Sequence, residues 1–456
     1  MGYQSINPYT GETVRNFTNH TDQQVEQFLT QAYNLYKSEW SAPENRNERL
    51  ACLSRLAKIM DTRKEEIARI ITIDMGKRLV ESRSEVSTCI DIAQYYAENA
   101  AELLRPQNYP NVLGQAQLTF FPIGIILAIE PWNFPLYQLM RVLAPAIAAG
   151  NSVIVKHARN VPQCAQLMED LLREAGLSEG GYRNLFVNFD QIEKIIADDR
   201  VQGVALTGSE RAGSNVAAQA GRKLKKTTME LGGNDVFIVL DDADIEKAAQ
   251  VAVGARLANA GQVCTAAKRF IVHQQVAEQF TTLIIEAFKS QIMGDPLDET
   301  TTLAPLSSAD AKTRLQQQLD QAVAAGAKVL YGNLPAEGNF FTPTLITQIN
   351  RDNPAYFTEF FGPVAQLYIV DDDEAAIQLA NDSHYGLGGT IFAGNLERAK
   401  KLAARIETGM VFINRPSDSV AQLPFGGIKR SGFGRELSDL GIKEFVNQKL
   451  IVVETN

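Results

Sequence analysis

Cysteine is scarce in this chain: four thiols, Cys52, Cys89, Cys164 and Cys264, are spread over 456 residues. That spacing makes no disulfide framework, and a working thiolate is best preserved in a reducing compartment, so a cytoplasmic location is expected. Strongly basic tracts are missing too. The net charge is −9, and the densest cationic run, Arg222-Lys223-Leu224-Lys225-Lys226, reads as a solvated face. A nucleic-acid partner is therefore not expected. The N-terminus, Met1-Gly2-Tyr3-Gln4-Ser5-Ile6-Asn7-Pro8, lacks a basic segment followed by an apolar core, and the longest apolar stretches are broken by proline or glycine. Neither export nor a membrane span is expected. There is no long low-complexity segment and no internal repeat. With 45% hydrophobic residues, the chain can bury more than one core and should form two or three structural units.

What is present is a chemical constellation. Asn259-Ala260-Gly261-Gln262-Val263-Cys264 places one thiol in a loop between a helical stretch and the strand-like run Arg269-Phe270-Ile271-Val272. A lone cysteine is usually an inert core residue, and Cys52 and Cys164, inside apolar helical patterns, are assigned no chemistry. Cys264 differs through its company. Thr228-Met229-Glu230-Leu231-Gly232-Gly233 sets a carboxylate before paired glycines, and Pro131-Trp132-Asn133-Phe134-Pro135 sets an amide between prolines. Taken singly these are a strand end and a turn. Together they supply a thiolate that adds to a carbonyl, an amide donor for the oxyanion, and a base to activate water. If the carbonyl is an aldehyde, the adduct can release hydride to a nicotinamide and leave a thioester, which Glu230 can help to hydrolyse.

Short apolar strands alternate with helical patterns. Leu50, Leu53, Leu56, Ile59 and Met60 fall on one helix face within a helical region near residues 44–104. Strands are expected at Ile125–Ile129, Val153–Val155, Leu185–Val187, Val204–Leu206 and Phe237–Val239, as in a doubly wound parallel sheet, with a second α/β unit following. The active site then belongs in the cleft between units. Lys156 follows one strand at its carboxyl end. Val204-Ala205-Leu206-Thr207 leads into Gly208-Ser209-Glu210-Arg211-Ala212-Gly213, where a glycine turn presents a helix N-terminus suited to phosphate. That segment is not a G-x-G-x-x-G motif.

Four motifs carry a resemblance that runs nearly end to end: Pro131-Trp132-Asn133-Phe134-Pro135, Met229-Glu230-Leu231-Gly232-Gly233, Gly261-Gln262-Val263-Cys264 and Glu359-Phe360-Phe361-Gly362-Pro363. In this order and spacing they resemble the NAD(P)-dependent aldehyde dehydrogenase superfamily. The resemblance implies an α/β fold with a Rossmann-type doubly wound cofactor domain at 1–105 and 123–232. It implies a second α/β catalytic domain at 233–424 and a small β oligomerisation element at 106–122 and 425–456. Cys264 would be the nucleophile, Glu230 the general base and Asn133 the oxyanion ligand. Trp132, Lys156, Gly208, Ser209, Glu359 and Phe361 would hold the dinucleotide, with Phe361 flanking the nicotinamide. No metal site is expected, and a homodimer or homotetramer is.

Three departures sharpen this. Members that prefer NAD commonly carry a glutamate three residues after the lysine, whereas this chain reads Lys156-His157-Ala158-Arg159. Arg159 could pair with a 2′-phosphate or simply face solvent; the expected cofactor is NADP or NAD, leaning to NADP. His157 is read as filling space. Arg141 interrupts the apolar run Leu139-Met140-Arg141-Val142-Leu143-Ala144-Pro145, so it either makes a structural ion pair or faces a cavity and holds a ligand carboxylate. Succinate semialdehyde dehydrogenases are similar here, which implies a four-carbon semialdehyde as the small-molecule substrate. Their second arginine before the nucleophile is absent, the nearest being Arg256, so Ser419 and Arg415 are candidates to complete the carboxylate site. Val142 stands where many relatives have a lysine that serves a glutamate matching Glu436. The alternatives are a general aliphatic aldehyde dehydrogenase, a CoA-acylating enzyme, or a catalytically retired structural relative.

Overall fold

In the strand Ile125–Glu130, Ile126 and Ala128 enter one apolar cluster while Ile125 and Leu127 enter another on the opposite face. A strand covered on both sides has no polar face to alternate with, which is why Ile125-Ile126-Leu127-Ala128-Ile129 is uninterrupted. The computed structural model, which describes residues 2–111 and 113–454, places this strand within a six-stranded sheet. The order is Gly432–Phe433, Lys226–Glu230, Val201–Thr207, Ile125–Glu130, Ser152–His157, Tyr182–Asn184, parallel except for the first. Helices Arg46–Thr62, Leu79–Leu103, Tyr137–Ala149 and Pro162–Glu174 supply one face, and Asp22–Lys37, Phe189–Ala197 and Glu210–Arg222 the other. In Arg46–Thr62 the buried residues Leu50, Leu53, Leu56 and Met60 make the expected stripe.

Two expectations need correction. Phe237–Val239 does not join this sheet; the strand Val236–Val239 lies in the second sheet, between Arg269–His273 and Gly389–Phe392. The fifth parallel strand is instead Lys226–Glu230, whose polar start hides it because only Thr228, Met229 and Glu230 are buried. The strand expected at Leu185–Val187 lies earlier, at Tyr182–Asn184. Leu185 still donates to the Val155 carbonyl at 2.7 Å, and the chain then turns so that Asn188 caps the next helix.

The second sheet runs Lys328–Tyr331, Thr344–Thr347, Val364–Val370, Arg269–His273, Val236–Val239, Gly389–Phe392, Phe412–Ile413, with only its first pair antiparallel. The link from Glu230 to Val236 leaves the carboxyl edge of one sheet and enters the amino edge of the next. The loop bearing Cys264 reaches the amino end of Arg269–His273. The two edges therefore face one another, and chemistry-bearing side chains collect between them.

The third sheet pairs Val446–Val453 with Gln115–Pro122, which pairs with Gln107–Tyr109. Leu450 and Val453 remain 60% and 56% exposed. Before that strand the chain returns to the first unit. Phe425, Leu437, Ile442 and Phe445 fill its helical core, and Gly432 pairs with Glu230. Gly432 has φ +110°, and a Cβ there would lie 1.8 Å from the Met229 carbonyl oxygen, so only glycine allows this closure.

Candidate active site

Three consecutive residues before Cys264 adopt left-handed backbone: Asn259 (φ 50°), Ala260 (φ 51°) and Gly261 (φ 77°). Asparagine tolerates this region and alanine does not, so the surroundings must impose it. They do so through three donors. The Asn259 backbone N–H donates to Glu81 Oε1 (2.8 Å), Asn259 Nδ2 donates to the Asn133 carbonyl (2.9 Å), and Arg256 Nη2 donates to the Gly261 carbonyl (2.6 Å). A Cβ on Gly261 would come within 2.4 Å of the Gly362 carbonyl. The Cys264 loop is thus bolted to three elements before it reaches the thiol. Arg256 holds the loop from outside the Cys264 cavity, whereas Arg141 lines it.

Cys264 emerges partly exposed into a cavity of about 280 Å³ whose walls include Phe134, Tyr137, Arg141, Ser419 and Phe425. Burial pushes its thiol up to about 11, against the pull of Arg141 and Lys268. The other three cysteines are buried away from this cavity. Asn133 lies next to the loop, with Nδ2 donating to the Gln262 carbonyl at 2.9 Å, so a second amide hydrogen remains for a ligand oxygen. His157 anchors this segment. Its Nε2 lies 2.7 Å from the Pro135 carbonyl and its Nδ1 accepts from the Ala158 N–H, while burial pushes its pKa down to about 4 and keeps it neutral. It does more than fill space.

Glu230 ends its strand 2% exposed, with neither carboxylate oxygen hydrogen-bonded to protein. Burial, reinforced by Glu436, holds its carboxyl well above the usual range, with Arg141 opposing. Burial and Glu436 likewise push Glu130 up to about 8. Arg141 is the cation that these buried carboxyls share. Its Nε lies 2.6 Å from Glu436 Oε2, an ion pair by distance, though the N–H does not aim at the oxygen. Its guanidinium stacks 4.4 Å above the Phe425 ring, and its remaining bonds, to Tyr137 Oη at 3.4 Å and Thr207 Oγ1 at 3.3 Å, are long. Arg141 is thus ion-paired, as the first sequence alternative had it, and it also lines the cavity that the second required. It is Arg141, next to Val142, that meets Glu436.

Ser419 also lines the cavity, its Oγ bonded to the Tyr137 hydroxyl. Arg415 does not line it. That side chain is 57% exposed and pairs with Asp418 at 2.9 Å, which satisfies it outside.

None of the cofactor candidates lines the Cys264 cavity. Lys156, at the carboxyl end of its strand, is pushed down to about 8 by burial and by Arg159. Lys156 and Arg159 both lie over the Phe189 ring, and Arg159 makes no ion pair among the described residues. Ser209 caps the helix Glu210–Arg222, and the Gly208 N–H donates to the Glu230 carbonyl at 2.9 Å, so this turn is tied to the strand that carries Glu230. Glu359 Oε1 accepts from the Gly233 N–H (3.0 Å) and lies 3.2 Å from Lys268 Nζ. Phe361 meets Trp132 edge to face at 5.8 Å.

Sequence reasoning missed Lys77, Glu81, Glu85, Glu130 and Tyr137. The spacing of Lys77, Glu81 and Glu85 at four-residue intervals was the available signal, although such charges ordinarily mark a solvated helix face.

Comparison with known proteins supports this arrangement along the whole chain. Residues 1–451 match the aldehyde dehydrogenase family. A succinate-semialdehyde dehydrogenase [NADP(+)] of Deinococcus radiodurans is 45% identical, over 98% of this chain and 94% of its own length. A succinate semialdehyde dehydrogenase [NAD(P)+] of Escherichia coli is 42% identical, over 97% and 96%. The crystal structure of succinic semialdehyde dehydrogenase from Streptococcus pyogenes, in complex with NADP+ as the cofactor, superposes with a TM-score of 0.98 at 49% identity and covers 99% of this chain and 100% of that one. Matched over residues 1–451 by the family and across nearly their whole lengths by these relatives, the chain belongs to the aldehyde dehydrogenase family.

Proposed function

We propose that this aldehyde dehydrogenase oxidises succinate semialdehyde to succinate with NADP+. The observation that carries the substrate is Arg141, a buried guanidinium with two long, under-satisfied N–H contacts in the wall of the Cys264 cavity. A distal carboxylate would complete those bonds as a charge-assisted fork. Ser419 and the Tyr137 hydroxyl lie beside it. The relatives' substrate supports the same reading.

Cys264 Sγ adds to the aldehyde carbon, and the free amide hydrogen of Asn133 stabilises the developing oxyanion, an interaction worth roughly 3–4 kcal/mol in comparable sites. Hydride leaving the adduct goes to the nicotinamide, which is the chemistry the cofactor supplies when bound. Glu230 then takes a proton from the water that attacks the thioester, releasing the acid and regenerating the thiol. A carboxyl whose affinity for protons is raised by burial is suited to that step near neutrality. The presence of Glu230 favours hydrolysis over transfer to CoA. The ion pair with Glu436 favours a second reading, in which Arg141 is structural and the enzyme accepts aldehydes broadly.

Rates of cofactor reduction with succinate semialdehyde and with uncharged butanal, for the wild type and Arg141→Ala, decide between them. We expect the wild type to prefer the semialdehyde and the variant to lose that preference about a hundredfold, as a lost charge-assisted pair of roughly 2–3 kcal/mol implies. Equal oxidation of both aldehydes by the wild type would leave Arg141 a structural cation.

For the cofactor, Lys156 and Arg159 present two cations to the ribose region, and a 2′-phosphate fits Arg159 where a carboxylate would repel it. Glu359, Phe361, Trp132, Gly208 and Ser209 would hold the remainder. Because Lys156 loses its proton as pH rises through about 8, kcat/KM for NADP+ should fall across that pH while that for NAD+ falls less. A ratio of the two that stays flat between pH 7 and pH 9 would remove Lys156 and Arg159 from phosphate recognition.

Assembly as a dimer or tetramer is part of the same proposal, supported by the exposed apolar end of the last strand, Leu450 to Val453. So is a cytoplasmic location. Among the described residues no helix is long and apolar enough to cross a membrane.

A further inference from the structure

Three acidic residues, Glu81, Glu85 and Asp418, line the proposed substrate cavity, in a site read above as binding an anion. Each must be offset for Arg141 to dominate. Asp418 pairs with Arg415, and Glu81 pairs with Arg78 at 3.0 Å while accepting the Asn259 N–H. Glu85 is different in kind. Its Oε2 lies 2.6 Å from Lys77 Nζ, its Oε1 accepts the Leu136 and Tyr137 N–H groups at 2.8 and 3.1 Å, and both members of the ion pair are 0% exposed. Lys77 is outside the cavity wall. Its ammonium sits 3.6 Å from the centroid of the Phe134 ring, and Phe134 is in that wall. A charge pair closed in this way presents little net field to the cavity. Opened from either side, it leaves one uncompensated charge in a medium that screens it poorly.

We propose that Lys77 is a specificity-positioning residue: by closing Glu85 into an ion pair behind Phe134, it leaves Arg141 as the charge that a carboxylated aldehyde meets. Lys77 touches no substrate and acts through Glu85. The inference rests on the reading that the substrate bears a carboxylate.

The experiment compares kcat/KM for succinate semialdehyde with that for butanal in Lys77→Met, Glu85→Gln and the double variant. The ratio of the two is the readout, because a merely structural defect lowers both substrates together. Lys77→Met should cut the ratio about tenfold, since the bared carboxylate repels the anionic substrate across a poorly screened gap. Glu85→Gln should move it the opposite way, by roughly threefold or more, because the cation is now unopposed. The double variant, with both charges removed and volumes nearly kept, should return to within about threefold of the wild type. Parallel losses toward both aldehydes in the single variants would overturn the proposal. Should Lys77→Met fail to fold, Glu85→Gln carries the test alone, and an unchanged or lowered ratio there overturns it. A wild type without preference sinks the functional reading instead, and a Lys77→Met variant still selectively slow toward the charged aldehyde would then uphold the charge effect by itself.

Discussion

Cys264→Ala should abolish aldehyde oxidation, lowering turnover by about 10⁴-fold or more, the scale seen when a covalent nucleophile is deleted. No neighbour can take over. The hydroxyl groups in the same cavity wall, among them Ser84, Thr88 and Ser419, are far weaker nucleophiles than a thiol. Cys89 and Cys164 are raised well above the ordinary thiol range by burial and have no route to substrate. The alanine variant should keep its cofactor affinity, because the proposed cofactor residues Lys156, Arg159 and Ser209 are carried by the first sheet and its connections, not by the Cys264 loop. Measured as formation of reduced cofactor, residual turnover above about 1% of wild type would be incompatible with a covalent route through this thiol. The thiol's elevated pKa adds a pH signature. In the wild type, kcat/KM for aldehyde should climb with pH through the neutral range, because the thiolate fraction grows toward the value of about 11 that burial imposes.

Glu230→Gln should separate the two halves of the reaction. Acylation needs the thiol and the oxyanion donor, so about one equivalent of reduced cofactor per active site should still appear rapidly. Steady turnover should then fall by roughly 10²–10³-fold, within the range for removing a general base. The sign of the pH effect is fixed by the raised carboxyl: the base acts when ionised, so deacylation accelerates as pH rises through its pKa, and the glutamine variant loses that limb. Rapid-mixing traces of cofactor reduction with and without the substitution give both quantities. Unchanged steady turnover would move the base elsewhere, with Glu130, also buried and also unpartnered, next in line.

How much of this could be read in the sequence varies by element, for physical reasons. Strands buried on both faces announce themselves, so Ile125-Ile126-Leu127-Ala128-Ile129 and Ser152-Val153-Ile154-Val155 stand where expected. Lys226–Glu230 does not announce itself, because it opens on an exposed lysine and a half-buried threonine and its last residue is a carboxylate. The motifs holding Cys264, Glu230 and Asn133 were legible because loops with chemistry carry unusual local residues. Glu85 was not legible: its burial depends on Lys77 and on two N–H groups from a segment about fifty residues later, and nothing local distinguishes it from a surface glutamate. Arg141 was legible as an anomaly only. That it meets Glu436 is settled by the C-terminal segment folding back onto the first unit.

That return has a consequence for how the protein comes into being. Synthesis proceeds from the N-terminus, yet the edge of the strand carrying Glu230 stays unpaired until Gly432–Phe433 arrives, after the entire second unit has been made. Throughout elongation the nascent first unit displays an open strand edge and a helical core still lacking Phe425, Leu437, Ile442 and Phe445. Glu230, the proposed base, is therefore framed only after the second unit has been made, and until then the first unit stays open to chaperones and to aggregation.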